Sequence, residues 1–179
     1  MTARRYAVPP GRISLIQGEC RVTADPEAVM TTVLGSCVAA CMRDPIAKVG
    51  GMNHFLLPEG KGTDRAISLR YGAHAMELLV NGLLTLGARR ERLEAKLFGG
   101  ANMTDGLTDI GTKNAIFAEN YLKHEGIRFT GGSTGGRRAR RLQFWPVSGR
   151  VRQMQLVASP ETVLQPARPP KDSGSVEFF

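Results

Sequence analysis

The chain has 179 residues, 42% of them hydrophobic, enough to bury one core and too few for two domains of ordinary size. No apolar run approaches the roughly 18 residues of a membrane span, and the opening stretch MTARRYAVPPGR has charges with no apolar segment behind them, so neither a membrane span nor a secretory leader is expected. A net charge of +8 leaves phosphates, acidic protein faces and plain solvation open, whereas an odd count of three cysteines argues against a disulfide framework and fits a reducing cytoplasm.

Residues 1–12 read as a mobile arm, followed by short strands at Ile13 to Gln17 and Cys20 to Thr23 around Gly18. Asp25-Pro26 breaks that run. Val29 to Leu34 then makes a strand leading into Gly35-Ser36, where glycine lets the backbone turn sharply and present Cys37. Val38 to Met42 and Val49 to Leu57 are apolar runs with Asp44-Pro45 between them, the signal of a hairpin. A type I turn with Asp44 and Ala47 at its outer corners places Cys37 opposite His54, with β-carbons roughly 5 Å apart on one face.

Glu59 to Arg65 has no periodicity and reads as an exposed loop beside that pair. Ser68 to Leu86 carries Tyr71, Ala75, Leu78, Leu79, Gly82, Leu83 and Leu86 at three- and four-residue spacings, the pattern of an amphipathic helix that Gly87 closes. Leu93 to Phe98 is expected as a central strand ending in the turn Gly99-Gly100-Ala101-Asn102. A second helix follows over Thr112 to Glu125, with Ala115, Ile116, Ala118, Tyr121 and Leu122 as its buried stripe. Ile127 to Thr130 reads as a strand, and Arg138 to Trp145 with Arg150 to Val157 as a hairpin whose arginines face solvent. Beyond residue 158 proline and charge dominate, so 159–179 is expected to be a disordered tail and 13–158 the catalytic domain. Its acidic-aromatic end, Glu177-Phe178-Phe179, also suits a short docking peptide. Strands interspersed with two helices indicate a mixed α/β domain with helices packed on sheet.

A thiol is little ionised near neutral pH, but a neighbouring imidazole can take its proton and leave a thiolate able to attack carbonyl carbon. Cys37 and His54 are that pair. Cys41, without a histidine partner, reads as core, and His74 and His124 as solvent-facing or helix-terminal residues. A zinc site built from Cys20, Cys37, Cys41 and His54 lacks a Cys-x-x-Cys pair or a second close histidine, so no metal or other cofactor is expected. The cluster Arg137, Arg138, Arg140 and Arg141 reads first as a solvated face, then as a docking patch for acidic protein, and last as a nucleic-acid contact, since only Phe144 and Trp145 supply aromatic interleaving.

The blocks LGSCVAACMRDP, VGGMNHFLLP, RYGAHAMELLVNGLL and EAKLFGGANM resemble, in that order, the signature blocks of the chemoreceptor glutamine deamidase family, CheD, over roughly Val29 to Val151. Ile110 to Asn114 departs from the more acidic version the family carries. The resemblance implies a layered α/β sandwich and a cysteine hydrolase that converts glutamines of chemoreceptor cytoplasmic helices to glutamate. Methylesterase activity by the same thioester route is a side reading. It makes Cys37 the nucleophile, His54 the base and Thr31 the residue orienting the base, with the adjacent Thr32 as competitor. Gly35, Ser36, Gly99, Gly100 and Asn102 are expected to line the site or support an oxyanion, and a CheC-type phosphatase is the implied partner. The rival reading is a non-catalytic regulatory module that docks on receptors or on the phosphatase.

Overall fold

Residues 11–58, 64–103 and 109–156 are described by the computed structural model. The expected tail, the expected arm apart from Gly11 and Arg12, and most of the expected 59–65 loop lie outside them. The elements in chain order are β1 (Arg12–Ser14), β2 (Cys20–Thr23), β3 (Val29–Leu34), β4 (Val38–Asp44), β5 (Val49–Asn53), α1 (Arg65–Thr85), β6 (Glu94–Gly99), α2 (Ile110–His124), β7 (Arg128–Thr134), β8 (Arg140–Trp145) and β9 (Arg150–Gln155), with a single 3-10 turn at Arg90–Arg92.

Successive side chains of a strand point to opposite faces, and β4 is apolar on both, which places it in the middle layer of three. Its Val38, Ala40 and Met42 join Val49, Ala95 and Leu97 against Met76, Leu79, Val80 and Leu83 of α1 and Ala115, Ala118 and Leu122 of α2. On the other face Ala39 and Cys41 pack with Met52 and Phe98 against Met30, Leu34, Leu142 and Phe144. The strands divide into a five-stranded sheet, β2-β5-β4-β6-β7, and a four-stranded sheet, β1-β3-β8-β9. Each is mixed, with β6–β7 and β1–β3 as parallel pairs. Helices, sheet and second sheet make the layered α/β sandwich that was expected, with its strands split between two sheets.

Three local expectations are corrected. In the β4–β5 hairpin Val49, not Ala47, lies opposite Asp44, because four residues fill the loop and Lys48 takes a left-handed conformation at φ 55°. Asp44 organises that loop: its buried carboxylate accepts the N–H groups of Ile46, Ala47 and Arg89 and the Arg92 guanidinium. Burial pushes its pKa up, yet these donors overcome it and hold the carboxyl down to about 2.

The buried seam of α1 runs through Gly72, Met76, Leu79, Val80 and Leu83, while Tyr71, Leu78 and Leu86 are exposed. In α2, Gly111 and Asn114 join the seam and Ile116 leaves it. Finally, the hairpin arginines do not all face solvent. Arg140 is buried, its guanidinium donating to the carbonyls of Ser133 and Gly135 and tying β8 to the end of β7.

Candidate active site

The cysteine turn is held from behind by the turn that ends β6. Gly100 N–H donates to the Cys37 carbonyl at 2.7 Å and Ala101 N–H to the Gly35 carbonyl at 2.9 Å. Gly99 has φ 105°, and a β-carbon there would be driven into the Cys37 carbonyl, so this crossing requires glycine. Buried Asn114 of α2 adds a third tie, donating from Nδ2 to the Ser36 carbonyl and accepting the Leu57 N–H, each at 2.9 Å. The Gly100 N–H is therefore spent on the Cys37 carbonyl, and Gly99 serves by letting the two backbones approach. Asn102 donates its side-chain amide to Thr112 and its backbone N–H to Gly136, while its Oδ1 is buried with no hydrogen-bond partner among the described residues. Gly35 and Ser36 form the turn itself, with Gly35 close under the Met103 sulfur.

His54 is 5% exposed and lies just past β5, where its N–H and C=O bond Glu19 and Gly18 of the neighbouring segment. Val38 and Phe55 exchange both backbone hydrogen bonds. With that pair fixed, Ala39 lies opposite His54, and Cys37 sits on the same face one diagonal step away, a separation of roughly 7–8 Å between backbones. The expected direct opposition is thus replaced by a diagonal one. A two-residue register shift preserves the face, since side chains alternate with period two.

Thr31 and Thr32 part company at β3. Met30, Thr32 and Leu34 point inward between the sheets, whereas Thr31 faces outward into a surface cavity with Arg12 and Arg141. Thr32, not Thr31, is the threonine at His54: its Oγ1 lies 2.9 Å from Nδ1 and also donates to the Leu15 carbonyl at 2.8 Å. A hydroxyl has one proton to give. With that proton on Leu15, Oγ1 accepts from Nδ1–H, which leaves Nε2 as the basic nitrogen. Nε2 is buried and has no hydrogen-bond partner among the described residues.

Cys37 is partly exposed, and its thiol donates to the side-chain carbonyl of Gln17 at 3.4 Å. The sequence marks Gln17 only as the end of the Ile13 to Gln17 stretch, because a single glutamine carries no pattern; only the fold brings it over the cysteine. Burial raises the Cys37 pKa, with its own backbone N–H working the other way. Burial lowers that of His54, while the Leu15 carbonyl raises it. Both shifts favour neutral forms, so the resting pair is thiol and imidazole rather than an ion pair. Cys41 is buried in the core with its thiol pKa raised by desolvation, as its lack of a partner led one to expect, and Cys20 is pushed up to about 11 by the same cause. Among the described residues no group of three or more His, Cys, Asp or Glu side chains could hold a metal ion, and no helix is long and apolar enough to cross a membrane.

The sequence model of the family described as CheD chemotactic sensory transduction matches residues 56–155, more than half of the chain but starting just after His54. The alignments with whole relatives reach further. A Caulobacter vibrioides protein named "Probable chemoreceptor glutamine deamidase CheD" is 58% identical over 175 residues, covering 94% of this chain and 93% of its own. Relatives of the same name from Acidiphilium cryptum and Rhizobium leguminosarum are 58% and 54% identical over 177 and 176 residues, each covering 94% of this chain and 93% and 96% of their own. With that breadth of similarity, resting on a fold of the expected class, the chain belongs to the CheD family.

Proposed function

We propose that this protein deamidates glutamine side chains of chemoreceptors, with Cys37 as nucleophile, His54 as general base and Thr32 as the residue that orients the base. The observation that carries the mechanism is the unpartnered Nε2 of His54, on the face Cys37 shares, with the opposite ring nitrogen committed to Thr32. The substrate is supported by the name the relatives bear.

A substrate carboxamide enters by displacing the Gln17 side chain from the sulfur. Rotation about the Cα–Cβ bond then swings the thiol toward Nε2, which takes its proton as sulfur bonds to the carboxamide carbon. The oxygen of that carbon becomes an oxyanion, and the backbone N–H of Cys37, which interacts with the sulfur in the resting site, is a donor available to it. As the carbon–nitrogen bond breaks, protonated His54 gives its proton to the departing amide nitrogen, which leaves as ammonia. Water deprotonated by the same Nε2 cleaves the thioester, releasing glutamate and restoring the thiol. Nδ1–H stays on Thr32 throughout, so one tautomer serves both halves of the cycle. A glutamate methyl ester would follow the same route with methanol as the leaving group, and no step calls on a metal or cofactor.

A cytoplasmic setting is supported by three free thiols, and a CheC-type phosphatase as partner by the family resemblance. The test compares wild type with Cys37→Ala for ammonia release from a receptor cytoplasmic fragment and, separately, for binding to it. The reading expects the variant to bind and release nothing. Ammonia release that survives the substitution removes Cys37 from the mechanism, and wild type that binds without releasing ammonia is a docking module.

A further inference from the structure

The arginines that cluster in the sequence are not the ones that cluster in space. Arg140 turns inward, whereas Arg12 of β1, Arg141 of β8 and Arg152 of β9 converge with Thr31, Gln143 and Met154 around a cavity of about 370 Å³. It lies on the outer face of the four-stranded sheet, away from His54. The strand register puts Thr31, Gln143 and Arg152 in one row and Val33, Arg141 and Met154 in the next. Beside them Arg150 stacks 4.0 Å over the Trp145 ring.

Among the described residues no acidic side chain stands on this face, and none of Arg12, Arg141, Arg150 or Arg152 is in an ion pair. Arginines elsewhere in the fold that do pair show what is missing: Arg43 and Arg128 share Glu94, and Arg92 binds Asp44. Like charges gathered on a sheet face repel one another unless an anion sits between them, and three guanidinium forks around a recess form a carboxylate receptor. Val33 and Met154, 49% and 51% exposed, add apolar contact at the rim. Arg150 already stacks on one face of the Trp145 ring, leaving less of it for a base to stack on, which favours protein over nucleic acid.

We propose that this face docks an acidic, carboxylate-bearing segment of a protein partner, with Arg12, Arg141 and Arg152 as its anchors and Thr31 and Gln143 as neutral donors. The surface is separate from the thiol site, so it holds a partner without occluding Cys37.

The test uses the full chain and a fluorescent oligoglutamate peptide, read by anisotropy at two salt concentrations, for wild type, Arg141→Glu/Arg152→Glu, and a charge-matched control, Arg65→Glu/Arg70→Glu, on α1. Saturable, salt-sensitive binding is expected, weakened roughly tenfold or more by the cavity pair and less than about twofold by the control. Circular dichroism checks the fold, and Arg141→Gln/Arg152→Gln gives the same reading should charge reversal prevent folding. Equal loss in cavity and control variants, no loss in the cavity variant, no binding by wild type, or a single-stranded oligonucleotide outcompeting the peptide at equal ionic strength each overturns the proposal.

Discussion

Thr32 Oγ1 and His54 Nδ1 lie 2.9 Å apart across the gap between the two sheets, and the proton of that hydroxyl is spent on the Leu15 carbonyl. Thr32 thus accepts from the ring, and the hydrogen bond fixes which nitrogen is basic. Removing it with Thr32→Val should lower kcat about five- to tenfold, the worth of one neutral hydrogen bond. Thr32→Ser should restore most of the rate, and Thr31→Val should leave it within about twofold. A Thr31→Val variant that loses activity while Thr32→Val keeps it would return the orienting role to Thr31.

The pH dependence follows from the direction of two shifts. Burial lowers the His54 pKa below its ordinary 6.5, so the neutral, basic ring persists further into acid and the acidic limb of kcat/KM should fall below that value. Burial raises the Cys37 pKa above its ordinary 9.0, so alkylation by iodoacetamide should keep climbing past that pH. An alkylation inflection well below the ordinary thiol value would reveal a resting thiolate–imidazolium pair and contradict the neutral resting state.

Gln17 holds the thiol proton in place, since a hydrogen bond given by the neutral form disfavours ionisation. Gln17→Ala should speed alkylation of Cys37 a few-fold, measured against the unchanged Cys20. A slower reaction would mean that the carboxamide supports the thiolate through its N–H groups instead.

Asp44 joins the β4–β5 loop to the segment after α1 through four donors, and Asp44→Ala removes the buried carboxylate that all four share. A loss of about 3 kcal/mol is expected in urea unfolding. With a folded pKa of about 2 against an ordinary 3.8, the carboxylate's share of stability is fully present above 3.8 and is lost as pH falls through 2. The gap between wild type and variant should narrow in that window. A gap that stays constant down to pH 2 would show that the charge contributes nothing.

The pattern of the chain made the elements legible more readily than their registers. Short β-rich stretches bounded by Gly, Pro and Asp marked where the strands lie, because strand and turn chemistry is local, although β7 runs on through Gly131 and Gly132 to Thr134, past its expected end at Thr130. The hairpin loop depended on Lys48 entering a left-handed conformation that its residue type does not advertise, and the two-residue shift went unseen. That error was harmless to the Cys37–His54 face, whereas a one-residue choice between Thr31 and Thr32 reversed the side of the sheet. Both faces of Val29–Leu34 carry apolar residues, so alternation alone did not say which threonine is inside. α1 is apolar around much of its circumference and offered several seams, of which packing selected one. Arg140 shows the same limit: in a basic run, only the carbonyls of Ser133 and Gly135 mark it as the buried one.

The central claim is that Cys37 performs acyl transfer on receptor glutamine with His54 as its base. Its most direct test is peptide mass analysis of a receptor cytoplasmic fragment incubated with wild type, Cys37→Ala and His54→Gln. The account predicts conversion of discrete glutamines to glutamates by wild type alone. Conversion at the same positions by either variant, or none by wild type, would contradict it.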